Sequence, residues 1–199
     1  MNPTRRVVAA VAATVLLSGC AGTSQDHPVT RSSRSSSPSV AAPLLARYGL
    51  QGLDAAQIVD RLDRLGPGER PTDLKASVRP EELELTWGKM VYALPLPADR
   101  FYLSVAPYVG TTHECFYHSL TTCKGELADQ AVRVVVTDST HGTVLFDGDR
   151  TTFDNGFVGF WLPRDITGTL TVTYGGRTGQ VRFATDDHAP TCLTTLHLT

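Results

Sequence analysis

From Leu83 onward the chain is divided into short segments in which apolar and polar residues tend to alternate, a pattern that leaves few folds open. The segments are rich in valine, threonine and aromatic residues, and they read MVYALPL, FYLSVAPYV, AVRVVVTD, TVLFDG, GFVGFWLP, TLTVTYG and QVRFAT. Alternation with a period of two is typical of β-strands that bury one face. No helical pattern between the segments is long enough for a crossover connection. Residues 83–199 are therefore predicted to form a mainly antiparallel β-sandwich or barrel-like domain.

Turn dipeptides separate several of these predicted strands. The strongest are Asp147-Gly148, Asn155-Gly156 and Gly175-Gly176. Glycine adopts positive φ without steric cost, which tight turns between antiparallel strands require. We expect a chain reversal at each of the three.

Residues 43–80 precede the strands and are predicted to form a small helical segment, so the fold class is α+β. Asp54 can cap a helix, and Gly66-Pro67 can end it. The apolar stripe of this helix consists of Ile58, Leu62 and Leu65. Its outer face, expected to be solvated, consists of Asp60, Arg61, Asp63 and Arg64. A segment this short cannot bury its own core, so we expect it to form a lid on the β-domain or a contact in a homodimer.

The N-terminus, MNPTRRVVAAVAATVLLSGCAG, has the features of an export signal. Arg5 and Arg6 precede an uncharged run that is too short to span a bilayer comfortably. The run ends in LSGC, which resembles the lipobox of bacterial lipoproteins. We predict a lipoprotein signal peptide at residues 1–19 and lipidation of Cys20, which would anchor the protein to the membrane on the extracytoplasmic side of the cell envelope. The alternative is an ordinary cleaved signal peptide followed by an incidental Cys20.

A serine-rich stretch follows, and residues 20–42 are predicted to form a flexible tether between the lipid anchor and the folded part. The formal net charge is −2, and removal of Arg5 and Arg6 with the leader makes it −4. This charge argues against a nucleic-acid partner. Three cysteines remain after Cys20, an odd number that cannot pair completely within one exported chain.

Two short stretches hold these three cysteines, each with histidine close by. HECFYHSLTTC contains His113, Cys115, His118 and Cys123, and TCLTTLHL contains Cys192 and His197. Thiolate with imidazole is a donor set that suits Cu(I) or Zn(II). The paired short knuckles of structural zinc sites are missing, which favours Cu(I). Two other interpretations stay open: a structural disulfide between Cys115 and Cys123, and histidines that are simply polar loop residues.

The strings HECFYHSLTTCKGEL and TCLTTLHL closely resemble those of the CueP family of bacterial periplasmic copper-binding proteins, and the resemblance runs from about Leu45 to Thr199. It implies a role in copper resistance, in which the protein holds Cu(I) and passes it to a client such as a Cu,Zn superoxide dismutase. It also implies an N-terminal dimerisation segment and a β-rich copper-binding domain. The metal ligands that it implies are Cys115, Cys123 and Cys192, with His113, His118 and His197 as histidine partners.

A second hypothesis belongs to a different class of function. Cys115 and Cys123 could cycle between dithiol and disulfide in an envelope thiol-disulfide redox protein, although no Cys-x-x-Cys motif is present. The two hypotheses can be coupled, because two thiolates can supply the electrons that reduce Cu(II) to Cu(I). We expect a metal-binding protein and not an enzyme, with cupric reduction as a side activity.

Overall fold

The computed structural model describes residues 34–35 and 38–199 of the chain. The predicted signal peptide at 1–19, the predicted lipidation site Cys20 and most of the predicted tether lie outside the described residues. Two elements begin inside the predicted tether, a short strand, β1 (Arg34–Ser35), and the first turn of a helix, α1 (Pro38–Arg47). The folded part of the chain therefore starts before residue 43, earlier than the sequence predicts.

A second helix, α2 (Ala55–Asp63), follows α1 and is capped as predicted. The Asp54 carboxylate accepts a hydrogen bond from the Gln57 backbone N–H at 2.8 Å, and the Gln57 side chain accepts one from the Asp54 N–H at 2.9 Å. This capping box satisfies two backbone donors that have no partner inside the helix. Ile58 and Leu62 of the predicted stripe are buried. In the described part of the chain, neither helix has the length and apolar character needed to span a bilayer.

Three antiparallel strands support the helices: β2 (Leu74–Val78), β3 (Glu82–Trp87) and β4 (Met90–Pro95). With β1 they form a sheet in the order β1-β4-β3-β2, in which β1 pairs with β4 in parallel. Alternate residues of β2 and β3 are buried against both helices in one core. The prediction of helix up to residue 80 is therefore wrong for 74–78, and the helical stripe is covered by the chain's own sheet.

The rest of the chain forms two facing sheets around a second core. The strands are β5 (Arg100–Val105), β6 (Ala131–Asp138), β7 (Thr143–Thr151), β8 (Val158–Pro163), β9 (Thr167–Tyr174), β10 (Arg177–Ala184) and β11 (Cys192–Leu193). One sheet has the order β10-β9-β6-β7 and the other β11-β5-β8. All neighbours are antiparallel except β11 and β5. Buried residues of both sheets share one core, as in a sandwich, and the described strands do not close into a barrel. The predicted α+β class with a mainly antiparallel β-domain is confirmed.

Two of the three predicted turns are present and one is not. Gly156 has a φ of 82°, and Gly175 and Gly176 join β9 to β10 with φ of 56° and 79°. Asp147-Gly148 lies inside β7, and the chain reverses earlier, at residues 139–142. Asp147 instead pairs with Arg133 of the neighbouring strand at 2.6 Å. The Phe146 ring occupies the space beside Gly148 that a Cβ would need.

Candidate metal centre

The loop with the first two cysteines connects β5 to β6 and is held against the edge strand β2 by main-chain hydrogen bonds. The Val78 N–H donates to His118 O, and the Leu120 N–H donates to Ala76 O, both at 2.8 Å. An edge strand offers unpaired backbone groups, and here the loop uses them. The pairing fixes the middle of HECFYHSLTTC in space, so the side chains on either side of His118 have defined positions.

The third cysteine reaches this loop through β11, because Cys192 lies opposite Ser104 of β5 in the parallel pair. The Cys192 N–H donates to Phe116 O at 3.1 Å, which ties β11 directly to the loop. Thr191 adds a side-chain link, accepting from the His118 N–H at 2.9 Å and donating to Val78 O at 2.7 Å. The short strand β11 and the Thr191 hydroxyl thus bring Cys192 close to the loop that contains His118.

All three described cysteines are free thiols. The Sγ atoms of Cys115 and Cys123 are 3.4 Å apart, and Cys123 Sγ also accepts a hydrogen bond from the Ser119 N–H at 3.3 Å. Cys123 and Cys192 are buried with Ala106 and Phe157, and the half-buried Cys115 packs against this group. Cys123 and Cys192 therefore lie in an apolar environment, and Cys115 lies at its edge.

Hydrogen bonds distribute the protons unevenly among these thiols. Hydrogen bonds with Cys115 and Cys192 lower the pKa of the Cys123 thiol, and the nearby His118 lowers it further. Hydrogen bonds with Cys115 and Cys123 raise the pKa of Cys192, and burial raises it further. Cys123 therefore loses its proton more readily than Cys192.

His118 is fully buried, and its two ring nitrogens have different surroundings. Nε2–H donates to Asp63 Oδ1 at 2.7 Å, and Nδ1 lies 3.7 Å from Cys192 Sγ. Burial lowers the pKa of His118, but the negative charge and hydrogen bond of Asp63 outweigh burial, so the pKa lies well above its ordinary value. With Nε2 occupied by a carboxylate, Nδ1 is the nitrogen that can bind a metal, an arrangement common around metal-bound histidines.

Asp63 was expected to be solvated at the end of α2, but it is fully buried. Besides His118, Tyr102 OH donates to its carboxylate at 2.5 Å, Asn155 Nδ2 at 2.8 Å and Ser104 Oγ at 3.2 Å. Burial raises the pKa of Asp63, but His118 and these donors lower it by more. Its spacing of four from the buried Val59 was the available sign in the sequence, because such residues share a helix face.

His113 lies at the outer side of the cluster and is half-buried. Its ring meets the Phe157 ring edge-on, with 6.2 Å between centroids. Among the described residues no group forms a hydrogen bond with its buried Nε2. Buried polar atoms without a partner are rare in folded proteins, and a metal ion would supply the partner that this nitrogen lacks.

Arg70 contacts the same region from the N-terminal core, and nothing in its sequence context indicated this. Its Nη1 donates to Cys123 O at 2.6 Å and its Nε donates to Leu65 O at 3.1 Å. Burial lowers the pKa of Arg70, while Asp63 and Cys123 act in the opposite direction. A buried cation beside Cys123 favours the thiolate over the thiol.

The structure does not bring His197 to the thiols. Its Nε2 lies 3.1 Å from Val109 O, and its ring stacks on Tyr108 with 5.0 Å between centroids. His141 bonds to Asp138 at 2.6 Å, also away from the cysteines. The family resemblance implied His197 as a ligand, but the chain continues alongside residues 104–108 after Cys192 and places His197 opposite Tyr108.

Two groups of three ligand atoms result, with Cys123 in both. One consists of His113, Cys115 and Cys123, and the other of His118, Cys123 and Cys192. Within each group the ligand atoms lie within 4.8 Å of one another. Two sulfurs and one imidazole nitrogen form a soft donor set, suited to Cu(I) at low coordination number or to Zn(II) if a fourth ligand joins.

Comparison with known proteins assigns the chain to a family. A family model described as "Periplasmic copper-binding protein CueP" matches residues 57–197. A solved structure, "Crystal Structure of S.CueP", is 46% identical, with a TM-score of 0.75 over 79% of this chain and 96% of that one. A search of curated proteins found no match. The family match covers most of the chain and includes both cysteine-containing stretches. The chain therefore belongs to the CueP family of periplasmic copper-binding proteins.

Proposed function

We propose that the chain holds Cu(I) outside the cytoplasm through Cys115, Cys123 and Cys192, with His113 and His118 as the histidine ligands. The observation that carries this proposal is the convergence of all three thiols and both histidines in two overlapping groups around Cys123. Thiolates bind Cu(I) far better than Cu(II). Burial of Cys123 and Cys192 beside Phe157 protects such an ion from water and oxidants.

The proposal leaves His197 out of the ligand set, contrary to what the sequence resemblance implied. Its hydrogen bond to Val109 and its stacking on Tyr108 give it a structural role beside the C-terminal strand. His197→Ala is therefore expected to bind Cu(I) as the unchanged protein does.

The same thiols can reduce Cu(II) before they hold Cu(I). Oxidation of Cys115 and Cys123 to one disulfide releases two electrons, which reduce two Cu(II) ions to two Cu(I), and any proton still on either sulfur passes to water. The 3.4 Å between their Sγ atoms supports this chemistry, because only a small movement brings them to the roughly 2.05 Å of a disulfide bond. The disulfide removes two ligands, so retention of copper then requires a thiol reductant in the envelope.

That short distance also favours the second function, thiol-disulfide exchange without copper. The two functions differ in their need for Cys192, which lies outside the Cys115–Cys123 pair. A redox protein would keep its exchange activity in Cys192→Ser. A copper protein would lose Cu(I) affinity.

The deciding experiment is a competition titration of the reduced protein against a chromogenic Cu(I) chelator under anaerobic conditions. Cys123→Ser and Cys192→Ser should each weaken Cu(I) binding by about a hundredfold or more, because each loses a buried sulfur ligand. His141→Ala, whose ring bonds to Asp138, is the matched control and should bind as the unchanged protein does. Unaltered affinity in Cys192→Ser would overturn the three-cysteine site. A lowered melting temperature of oxidised, metal-free Cys115→Ser, with normal copper binding in Cys192→Ser, would instead indicate a structural disulfide.

Delivery to a Cu,Zn superoxide dismutase and lipid anchoring at Cys20 belong to the same proposal. Anchoring is supported by the LSGC sequence and the serine-rich stretch after it, which would let the folded part meet a client near the membrane. Acylation is tested by mass spectrometry of membrane fractions, with Cys20→Ser as the unmodified control. Delivery is tested by mixing Cu(I)-loaded protein with copper-free dismutase, whose activity should rise faster than with the same concentration of chelated Cu(I).

A homodimer is proposed through the N-terminal part of the chain. A shallow groove there is lined by Pro43, Leu44, Arg47, Trp87, Met90 and Tyr92. Met90 is 43% exposed, which is high for an apolar residue of its size. Sedimentation should show loss of the dimer in Met90→Glu. Val144→Glu, at a more exposed apolar residue of β7, is the control and should leave the dimer intact. Equal masses for all three proteins would refute the dimer.

A further inference from the structure

Building on the proposed function, we infer that the centre offers one Cu(I) ion two successive positions that share the Cys123 thiolate. The outer position consists of His113, Cys115 and Cys123, and the inner position of His118, Cys123 and Cys192. The ion enters and leaves through the outer position and rests in the inner one. Cys123 stays bound to copper throughout.

The outer position is open to solvent on one side. Cys115 and His113 are half-buried, and with Cys123 they line a surface depression that also includes Glu114 and the largely exposed Phe116. The Nε2 atom of His113 has no hydrogen-bond partner in the described structure. No described carboxylate is hydrogen-bonded to this ring, so His113 can bind and release an ion through Nε2 without breaking a hydrogen bond.

The inner position is closed. His118, Cys123 and Cys192 are only 0%, 8% and 1% exposed. The Phe157 ring covers the imidazole, with 4.5 Å between centroids, and Asp63 holds the opposite nitrogen. A carboxylate behind a metal-bound histidine strengthens metal affinity by about 10- to 100-fold. The inner ligands are therefore better suited to holding the ion than the outer ones.

His118 and Cys192 are buried and do not line the depression bordered by His113, Cys115 and Cys123, so an ion that enters there meets the outer groups first. Cys123 is the only ligand common to both groups, and its Sγ lies 3.4 Å from Cys115 Sγ. Exchange of ligands around one retained Cu–S bond moves the ion without a free, unligated stage. The Cys123 thiolate makes this exchange possible because it belongs to both groups.

The exchange balances without any change in oxidation state. The bonds from copper to Cys115 Sγ and to His113 nitrogen break, and bonds to Cys192 Sγ and His118 Nδ1 form. Protons displaced by copper from Cys192 Sγ and His118 Nδ1 pass to water, and the Cys115 sulfur released from copper can take one up from water. Copper remains Cu(I), so no oxidant or reductant is needed.

The two positions predict opposite kinetic and equilibrium effects. Loss of an outer ligand should slow both uptake and release while leaving the equilibrium affinity nearly unchanged, because the ion rests elsewhere. Loss of an inner ligand should weaken the affinity and speed up release. A single site with all ligands bound at once would make both kinds of variant lose affinity.

The test combines stopped-flow transfer of Cu(I) to and from a chromogenic chelator with an equilibrium competition titration. His113→Ala should slow transfer in both directions by about tenfold with a change in Kd of less than about threefold. Cys192→Ser should weaken Kd by about a hundredfold and release copper faster. His197→Ala and His141→Ala are control variants and should match the unchanged protein in every measurement. Circular dichroism of each metal-free variant verifies folding, and His113→Gln repeats the test with a bulkier neutral side chain.

Nitrogen-15 NMR of histidine-labelled, Cu(I)-loaded protein identifies the ring that binds the ion. In the unchanged protein the shift on metal loading should appear at His118, and in Cys192→Ser it should move to His113. Two Cu(I) per chain, metal-induced shifts at both rings together, or equal losses of affinity in His113→Ala and Cys192→Ser would overturn the two-position mechanism. If the unchanged protein bound no Cu(I), the proposed function would fail as well. If it bound Cu(I) with transfer rates unaltered in His113→Ala, only the two-position mechanism would fail.

Discussion

His113 and His118 lie five residues apart on one loop, yet their surroundings differ in almost every respect. His118 is sealed between Phe157 and Asp63, and its loop backbone is paired with β2. His113 lies at the rim, with one buried nitrogen to which no described residue is hydrogen-bonded. The difference arises because Asp63 and Cys192 reach only the inner histidine. A centre with a rigid inner side and an adaptable outer side can retain a metal ion and still exchange it.

Removal of Asp63 should have the most severe effect on the inner side. In Asp63→Ala the His118 imidazolium, Tyr102 and Asn155 lose their shared acceptor inside the protein. Loss of one partner of a buried ion pair costs about 3–5 kcal/mol, and the free energy of unfolding of the metal-free protein should fall by that amount. Urea denaturation measures it.

Asp60→Ala on the same helix is the control for that variant. Asp60 also accepts a hydrogen bond, from Trp161 Nε1 at 2.9 Å, but at an exposed position. Its loss should cost less than about 1 kcal/mol. Similar losses of unfolding free energy in the two variants would show that the buried hydrogen bonds of Asp63 stabilise the fold no more than the exposed one of Asp60.

The pH dependence of stability tests the charge distribution that distinguishes the two sides. In the folded metal-free protein the pKa of His118 is raised above its ordinary value of 6.5, and the pKa of Cys123 is lowered below its ordinary value of 9.0. At neutral pH the folded chain therefore keeps the His118 proton and lacks the Cys123 proton, while the unfolded chain does the reverse. The folded and unfolded chains then bind the same number of protons at His118 and Cys123, so these two residues contribute no pH dependence to the free energy of unfolding in this range.

Cys123→Ser should reveal the contribution of His118 alone. A group whose pKa is raised on folding stabilises the fold below its ordinary pKa, and this stabilisation is lost as the pH rises through the folded pKa. The free energy of unfolding of Cys123→Ser should therefore fall above pH 6.5, by up to about 1.4 kcal/mol per pH unit. Denaturation at several pH values with reductant present measures the slope. A slope as flat as that of the unchanged protein would contradict the assigned charges.

On the outer side, the strongest fixed contact is made by Glu126. Its carboxylate accepts from the N–H groups of Val109 and Gly110 at 2.9 Å and of Thr111 at 3.0 Å, just ahead of His113. These bonds, that of Thr111 first, lower the pKa of Glu126. Glu126→Gln should make the three amides exchange with deuterium faster and leave the amide of Leu120 unchanged. Exchange that stays equally slow would show that the outer loop is held by other contacts.

The sequence predicted the class of fold because alternation and capping residues are local features, and five of the six residues named as ligands lie close together in the structure. Asp54 caps α2 as expected, and the β-domain is mainly antiparallel. The strand at 74–78 was missed because it is only five residues long and closely follows a helix and a turn, although Leu74, Ala76 and Val78 alternate with polar residues. Asp147-Gly148 was misassigned because a strand pair can use the same two residues for a cross-strand ion pair and a packed ring.

The contacts that divide the centre into two sides could not be predicted from sequence. In the sequence, Asp63 is one of several charged residues on a predicted helix. Its contact with His118, 55 residues later in the chain, depends on the complete fold. His197 seemed a ligand because the family resemblance implied it. Such assignments depend on which strands pair, and that is decided by the whole core.

The most direct test is the Cu(I) affinity of Cys123→Ser compared with Cys115→Ser and Cys192→Ser in one competition titration. Cys123 belongs to both groups of ligands, so its loss should break both positions, whereas each of the other changes leaves one group intact. The expected order is the weakest binding in Cys123→Ser, by about tenfold or more beyond either of the others. Binding by Cys123→Ser as tight as by Cys115→Ser or Cys192→Ser would contradict a centre built around one shared thiolate.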